Sequence, residues 1–332
     1  MSFIQRQVPP FYRSRTFSDK FSDTTDFITV NWRVLLRMLT ITLLPLCVIQ
    51  ALNINGLVSA MYGDFLGDNG TVANSLLGFA LNYGSLVVFG IIGTAIFISV
   101  VYTTMKLYHE QNADGTPAHP DLNNMTFVQL RPIMLRQMRQ AWKGIGASLL
   151  LSLAIGIVAM SVAMVVALSG TAVGAENLFI GFGVLLAYAV IFTLIPPVIM
   201  ALPVMSFEKI KFWAGVRKSV VYGVKTWRGT IAVLIVMGLL TGVVLGVLGM
   251  PWIVLMMIKA MFVADDMSEF AFSGSLWYSF LMFLGAIVYI YACYIGYTVM
   301  LVAMAYQYGH AREKLEGEDF YASDNTGIAE NF

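Results

Sequence analysis

The sequence predicts an all-α polytopic membrane protein with six spanning helices, and three observations lead there. Only 12% of the 332 residues are charged while 58% are hydrophobic, against roughly 25% charged in ordinary soluble domains. The apolar residues gather in six blocks nearly free of charge, each near or above the ~20 residues a helix needs to cross a bilayer. Lys and Arg concentrate in alternate connectors, as they do in membrane proteins of fixed orientation.

The blocks run from Val34 to Leu57, Leu76 to Leu107, Ile145 to Leu168, Leu178 to Met205, Thr230 to Met250 and Leu276 to Ala305. The second and sixth exceed the hydrocarbon thickness and are expected to tilt or to continue as helix beyond it. Pro196, Pro197 and Pro203 should kink the fourth, because each removes a backbone donor and crowds the preceding turn; we read the kink as a packing feature before a broken helix at a substrate site. Pro251 closes the fifth block. The apolar stretch Trp252 to Val263 that follows is too short to cross again and reads as an interfacial helix with Lys259 snorkelling. Gly242 and Gly246, with Gly249 beyond them, form a small-xxx-small pair that permits close helix approach. The connector Tyr108 to Met125 and the segment Glu313 to Phe332 read as loop or disordered. About 33 polar and amphipathic residues precede the first block, so it reads as a retained anchor and not as a cleavable signal. Cys47 and Cys293 fall inside spans and behave there as small apolar residues.

Orientation follows from the cations. Arg6, Arg13, Arg15, Lys20 and Arg33 precede the first span, Arg131, Arg136, Arg139 and Lys143 precede the third, and Lys209, Lys211, Arg217, Lys218, Lys225 and Arg228 precede the fifth. The intervening loops carry Asp64, Asp68, Glu176, Asp265, Asp266 and Glu269, with Lys259 their only basic residue. The positive-inside rule then places both termini in the cytoplasm.

A unit recurs three times along the chain: an amphipathic basic segment, a Trp followed by a cation, a span, an outer loop and a returning span. The markers are Trp32-Arg33, Trp142-Lys143 and Trp227-Arg228, and 15 residues before each Trp stands Phe17, Phe127 or Phe212. The copies cover residues 17–107, 127–205 and 212–305 of a single membrane domain, 1–305, which a tail, 306–332, follows. Each holds an even number of spans, so all three share one orientation and, if packed symmetrically, surround an axis along the membrane normal. The segments before the Trp residues read as helices lying in the headgroup region, apolar face down and each Trp joining one to a spanning helix. In the second, Phe127, Leu130, Met134, Met138, Ala141 and Ile145 form the stripe. In the third, Trp213, Val216, Val220, Val224 and Trp227 do, while Lys211, Lys218 and Lys225 recur on another face.

Ionisable groups inside spans mark proton relays and ion coupling. The middle of every span here lacks them, and Arg37 and Lys106 sit at span ends where they can snorkel. His109, His119 and His310 match no metal-ligand spacing and read as solvated loop residues. No nucleophile elbow, phosphate-binding glycine loop or carboxylate pair stands out, so no catalytic, cofactor or metal residue is nominated. Asn82, Thr94, Tyr291, Tyr294 and Tyr297 are polar groups within spans, more often ties between packed helices than the lining of a conduit.

The run Gly215-Val216-Arg217-Lys218-Ser219, followed by Trp227-Arg228-Gly229 and an apolar stretch, resembles a recurring motif of bacterial six-helix membrane proteins. These are the membrane domain that accompanies some glycerophosphodiester phosphodiesterases and its stand-alone relatives. The resemblance implies a six-helix membrane domain over most of Phe17 to Ala305. The hydrolase of that family occupies a separate soluble barrel for which this chain has neither room nor motif, so its activity is not implied.

Two functions from different classes fit these features. The leading one is a non-enzymatic membrane protein that organises lipid or a partner membrane protein through its basic helices, without nucleic acid or cofactor. Its interface residues are Trp32, Arg33, Trp142, Lys143, Trp227 and Arg228, and its candidate headgroup contacts are Lys211, Arg217, Lys218 and Lys225, each worth about 1 kcal/mol near an anionic leaflet. The other is a permease or channel for a neutral or amphipathic solute, with a path lined by Asn82, Thr94 and the tyrosines.

Overall fold

The computed structural model of the chain describes residues 10–59, 72–112, 116–173, 176–264 and 275–317. Among them the order is α1 (Phe17–Ser59), α2 (Val72–His109), a 3₁₀ turn (Leu122–Asn124), α3 (Phe127–Val173), α4 (Glu176–Phe207), α5 (Phe212–Lys225), α6 (Trp227–Ala264), α7 (Leu276–Arg312) and a π turn (Glu313–Gly317). The described residues contain no strand, only an isolated bridge between Gln111 and Pro117. Six of the helices are long and apolar enough to cross a membrane, α5 being the exception, and the chain is a multi-pass integral membrane protein. Arg6 and the acidic residues Asp64, Asp68, Asp265, Asp266 and Glu269 lie outside the described residues.

Local sequence sets where helices start. Thr16 and Asp19 cap α1 reciprocally, each side chain accepting the other's backbone N–H at 3.2 and 2.9 Å. Gln129 reaches back to the Thr126 N–H at 2.8 Å, and the Ser275 hydroxyl accepts from the Tyr278 N–H at 3.2 Å. Such caps satisfy donors that the first turn leaves open.

Three boundaries differ from the sequence reading. α1 and α3 run unbroken through Trp32 and Trp142, and only the third marker sits at a break, where Thr226 leaves helical geometry at φ −110°, ψ 24°. The apolar stripe of the second segment explains its continuity, because Leu130, Met134 and Ala141 are buried in the protein core and do not face headgroups. α6 continues through Pro251 to Ala264. There the Trp252 ring stacks on Tyr289 of α7 at 5.2 Å and the Tyr278 hydroxyl donates to the Leu255 carbonyl. Packing on α7 thus carries the helix past its proline, and Trp252 to Val263 is no separate interfacial helix. The connector after α2 is ordered where described, and the Asn123 amide donates to the Val30 carbonyl at 2.7 Å.

Successive spans pair as hairpins, α1 with α2, α3 with α4 and α6 with α7, and α7 returns to pack on α1. The hairpins are not packed equivalently. α3–α4 joins the others mainly through α2 and α5, and its most apolar stretches are 6% buried against 44% for α1 and α7. The core lies toward the basic end, built from Met38, Leu43, Ile98, Tyr102, Met200, Val204 and Val302. Gly242 and Gly246 have no neighbour within 4 Å of an added Cβ, so the small-xxx-small pair serves no contact within the chain, whereas Gly249 receives the Tyr289 ring.

Candidate functional site

The basic end of the bundle is where the chemistry concentrates. Residues 10–16 form a strap across the end of α7. Arg15, with no exposed side-chain surface, donates to Asp23 at 2.7 Å, to the Phe11 carbonyl at 2.7 Å and to the Pro10 carbonyl at 2.9 Å, and its guanidinium lies 4.8 Å from the Tyr306 ring. Arg13 adds a second contact to Asp23 at 2.9 Å. Backbone passes close: a Cβ on Gly309 would meet the Phe11 carbonyl at 2.6 Å. Beneath the strap Phe11, Phe207 and Tyr308 stack, and the Tyr308 hydroxyl donates to Glu208 at 2.7 Å.

Of the segment Glu313 to Phe332, Glu313–Gly317 form a π turn and not loop, and residues 318–332 lie outside the described residues. Glu316 in the π turn accepts from Tyr222 at 2.7 Å and from Arg312 at 2.8 Å and pairs with Lys218, which also holds Glu208 at 2.7 Å. Burial alone would raise the Glu316 carboxyl, but these donors outweigh it and bring it down to about 2. Burial, aided by Glu316, pushes the Tyr222 phenol up. This latch joins α5 to the segment beyond the last span.

α5 itself is clamped to α4 at Pro196 and Pro197. A Cβ on Gly223 would lie 2.4 Å from the Pro197 nitrogen, so only glycine lets α5 cross there. Pro197 has no N–H to bond the Thr193 carbonyl one turn back, and the Trp227 indole donates to that carbonyl at 2.9 Å. Pro196 and Pro197 therefore serve packing, and α4 stays helical through all three prolines. With Gly215, Val216, Ser219, Tyr222 and Gly223 buried, α5 leaves Trp213, Val220 and Val224 exposed beside Lys211, Arg217 and Lys225.

The predicted site residues therefore separate. Trp32 and Trp142 are exposed on continuous helices, Arg33 lying 5.6 Å from the Trp32 ring, while Trp227 is half-buried against α4. Arg228 is exposed and Lys143 half-buried. Lys218 belongs to the latch and is not free for headgroups. Lys106 does not snorkel outward: it ties α2 to the Gln137 side chain of α3 at 2.7 Å and to the Ser206 carbonyl of α4. Arg37 donates to the Met125 carbonyl at 3.2 Å. His109 and His310 are half-buried, against the Tyr306 hydroxyl at 3.0 Å and the Arg15 N–H at 3.0 Å, and only His119, paired with Glu110, resembles the expected loop histidine. No group of three or more metal-ligating side chains occurs among the described residues.

Two cavities stand out. One, about 270 Å³, lies between α2, α4 and α7 and is lined chiefly by apolar side chains such as Phe97, Leu202 and Met304. Thr94, Tyr294 and Tyr297 also line this cavity, while Asn82 and Tyr291 do not; Asn82 and Thr94 bond their own helix, and Tyr291 and Tyr294 bond Thr40 and Gln50 of α1. The other, about 410 Å³, opens at the α5–α6 corner among Lys225, Trp227, Arg228, Gln307, His310 and Lys314. The sequence reading missed the strap, latch and corner because each joins residues far apart in the chain, the strap to α7, and α5 or the start of α6 to α7 and the turn after it, and a single sequence carries no signal of that pairing. Compared with protein-family models, curated proteins and solved structures, the chain matches none of them.

Proposed function

We propose that this is a non-enzymatic protein of the bacterial inner membrane, with both termini cytoplasmic, that organises anionic lipid, and through it a partner membrane protein, at its basic face. The observation that carries the reading is α5, a short helix clamped to α4 that exposes Trp213, Val220 and Val224 next to Lys211, Arg217 and Lys225. Apolar side chains reaching the acyl boundary beside cations at phosphate height are what an interfacial helix needs. The basic segments preceding the first and third spans belong to the same reading, in which 17–107, 127–205 and 212–305 are copies of one unit. So does kinship with the stand-alone six-helix membrane domains.

The test is the lipid that co-purifies with the protein. Lys211→Gln with Arg217→Gln removes two exposed cations outside the latch and should lower the anionic fraction of bound lipid several-fold, at about 1 kcal/mol per cation. An unchanged anionic fraction would sink the lipid-organising reading.

A further inference from the structure

The corner between α5 and α6 has the parts of a discrete binding site. Lys225, Arg228 and Lys314 line its cavity, and none of the three has a carboxylate partner among the described residues. The break at Thr226 starts a new helix there, with α6 beginning at Trp227 beside the cavity. The N-terminal end of a helix favours anions. Gln307 supplies an independent observation. It is fully buried, its amide nitrogen donates to Thr230 at 3.1 Å, and its Oε1 has no partner among the described residues although the side chain lines the cavity. A buried polar atom left unpaired is destabilising unless something fills it. His310 adds a donor: Nδ1 accepts the Arg15 N–H, so in the neutral ring the proton sits on Nε2. Burial first, then the charges of Lys20, Lys314 and Arg15, holds that ring down at about 4, so it is neutral at pH 7.

We propose that this cavity binds one phosphodiester headgroup of a membrane lipid, with phosphate on the cations and helix start and a headgroup hydroxyl donating to Gln307. Its volume lies within the roughly 300–1,000 Å³ of ordinary ligand pockets. A lipid fits better than a soluble phosphate ester because Ile235, Leu239 and Val243, on the α6 face below Arg228, are exposed and offer acyl chains an apolar track. The site rests on the lipid-organising reading but names a single position within it.

Native mass spectrometry of the full chain, delipidated and titrated with dioleoyl phosphatidylglycerol, dioleoyl phosphatidylcholine or glycerol 3-phosphate, tests it. Wild type should hold one phosphatidylglycerol in preference to phosphatidylcholine, and Arg228→Gln with Lys314→Gln should weaken it roughly 30-fold, two cations at about 1 kcal/mol each. Arg228→Lys with Lys314 intact should recover most of the affinity, which separates lost charge from lost folding. Equal binding by the double variant, or by phosphatidylcholine, overturns the site. Displacement by glycerol 3-phosphate at equal affinity overturns the lipid assignment in favour of a soluble ester. Lys211→Gln with Arg217→Gln should leave this adduct intact, so the broader reading and the single site can fail separately.

Discussion

The basic end and the α3–α4 hairpin are held by different physics. At the basic end, Arg15, Asp23, Tyr308, Glu208, Lys218 and Glu316 connect the strap, α4, α5 and α7 through directional bonds. Within the membrane, α3 and α4 contact each other extensively but present Leu153, Ile157, Met160 and Leu185 outward. Lipid tails are as apolar as leucine, so burying those side chains against another helix gains little. The difference teaches where this fold is specified: the apolar segments decide that the helices cross, and the polar end decides which helices meet.

The most direct way to break the comparison is Arg15→Met. It leaves the Phe11 and Pro10 carbonyls unpaired and Asp23 with Arg13 alone, and removing one partner of a buried ion pair costs about 3 kcal/mol or more. Thermal unfolding of the variant in detergent should show that loss, together with faster proteolysis of the strap. A variant as stable as wild type would mean that the strap does not secure the end of α7.

A smaller effect follows from the latch. The Glu316 carboxyl is lowered to about 2 from an ordinary 4.5, so its contribution is fully present above pH 4.5 and is lost as pH falls toward 2. Limited proteolysis after Gly317 should therefore accelerate over that window. Glu316→Gln should be cleaved faster at neutral pH and lose the acid response, by less than about 1 kcal/mol because Glu316 is 42% exposed and solvent screens the pair. An identical acid profile in that variant would move the switch to another group.

The comparison also explains what the sequence let us read. Span number and helical class are written in block length and charge placement, because the bilayer imposes both on every residue along the chain. The cations and tryptophans of the basic face were visible one by one, but their partners were not. Lys218 looked like a headgroup contact because its acceptors, Glu208 and Glu316, stand 10 residues before and 98 after it. Trp227 looked like a depth marker, and nothing local tells that a proline 30 residues earlier opens a carbonyl for it. The break predicted at Pro251 failed for a related reason: local propensity gave way to the stacking of Trp252 on Tyr289.

The smallest expected effect sharpens the comparison from the other side. Leu153, Ile157 and Met160 are 67%, 59% and 72% exposed on α3. Replacing any one by Ala exchanges protein–lipid contact for slightly different protein–lipid contact, so each should cost no more than about 0.5 kcal/mol. Leu43→Ala, at a fully buried position in the core, should cost about 2 kcal/mol or more, since the cavity it leaves is lined by fixed neighbours. Unfolding the four variants in the same bilayer compares the two regions on one scale. If the three α3 variants together match Leu43→Ala, or if they change the oligomeric state, the outer face of the hairpin is not lipid-facing but covered by another chain. The hairpin would then be specified by that outer contact as well as by its own two helices.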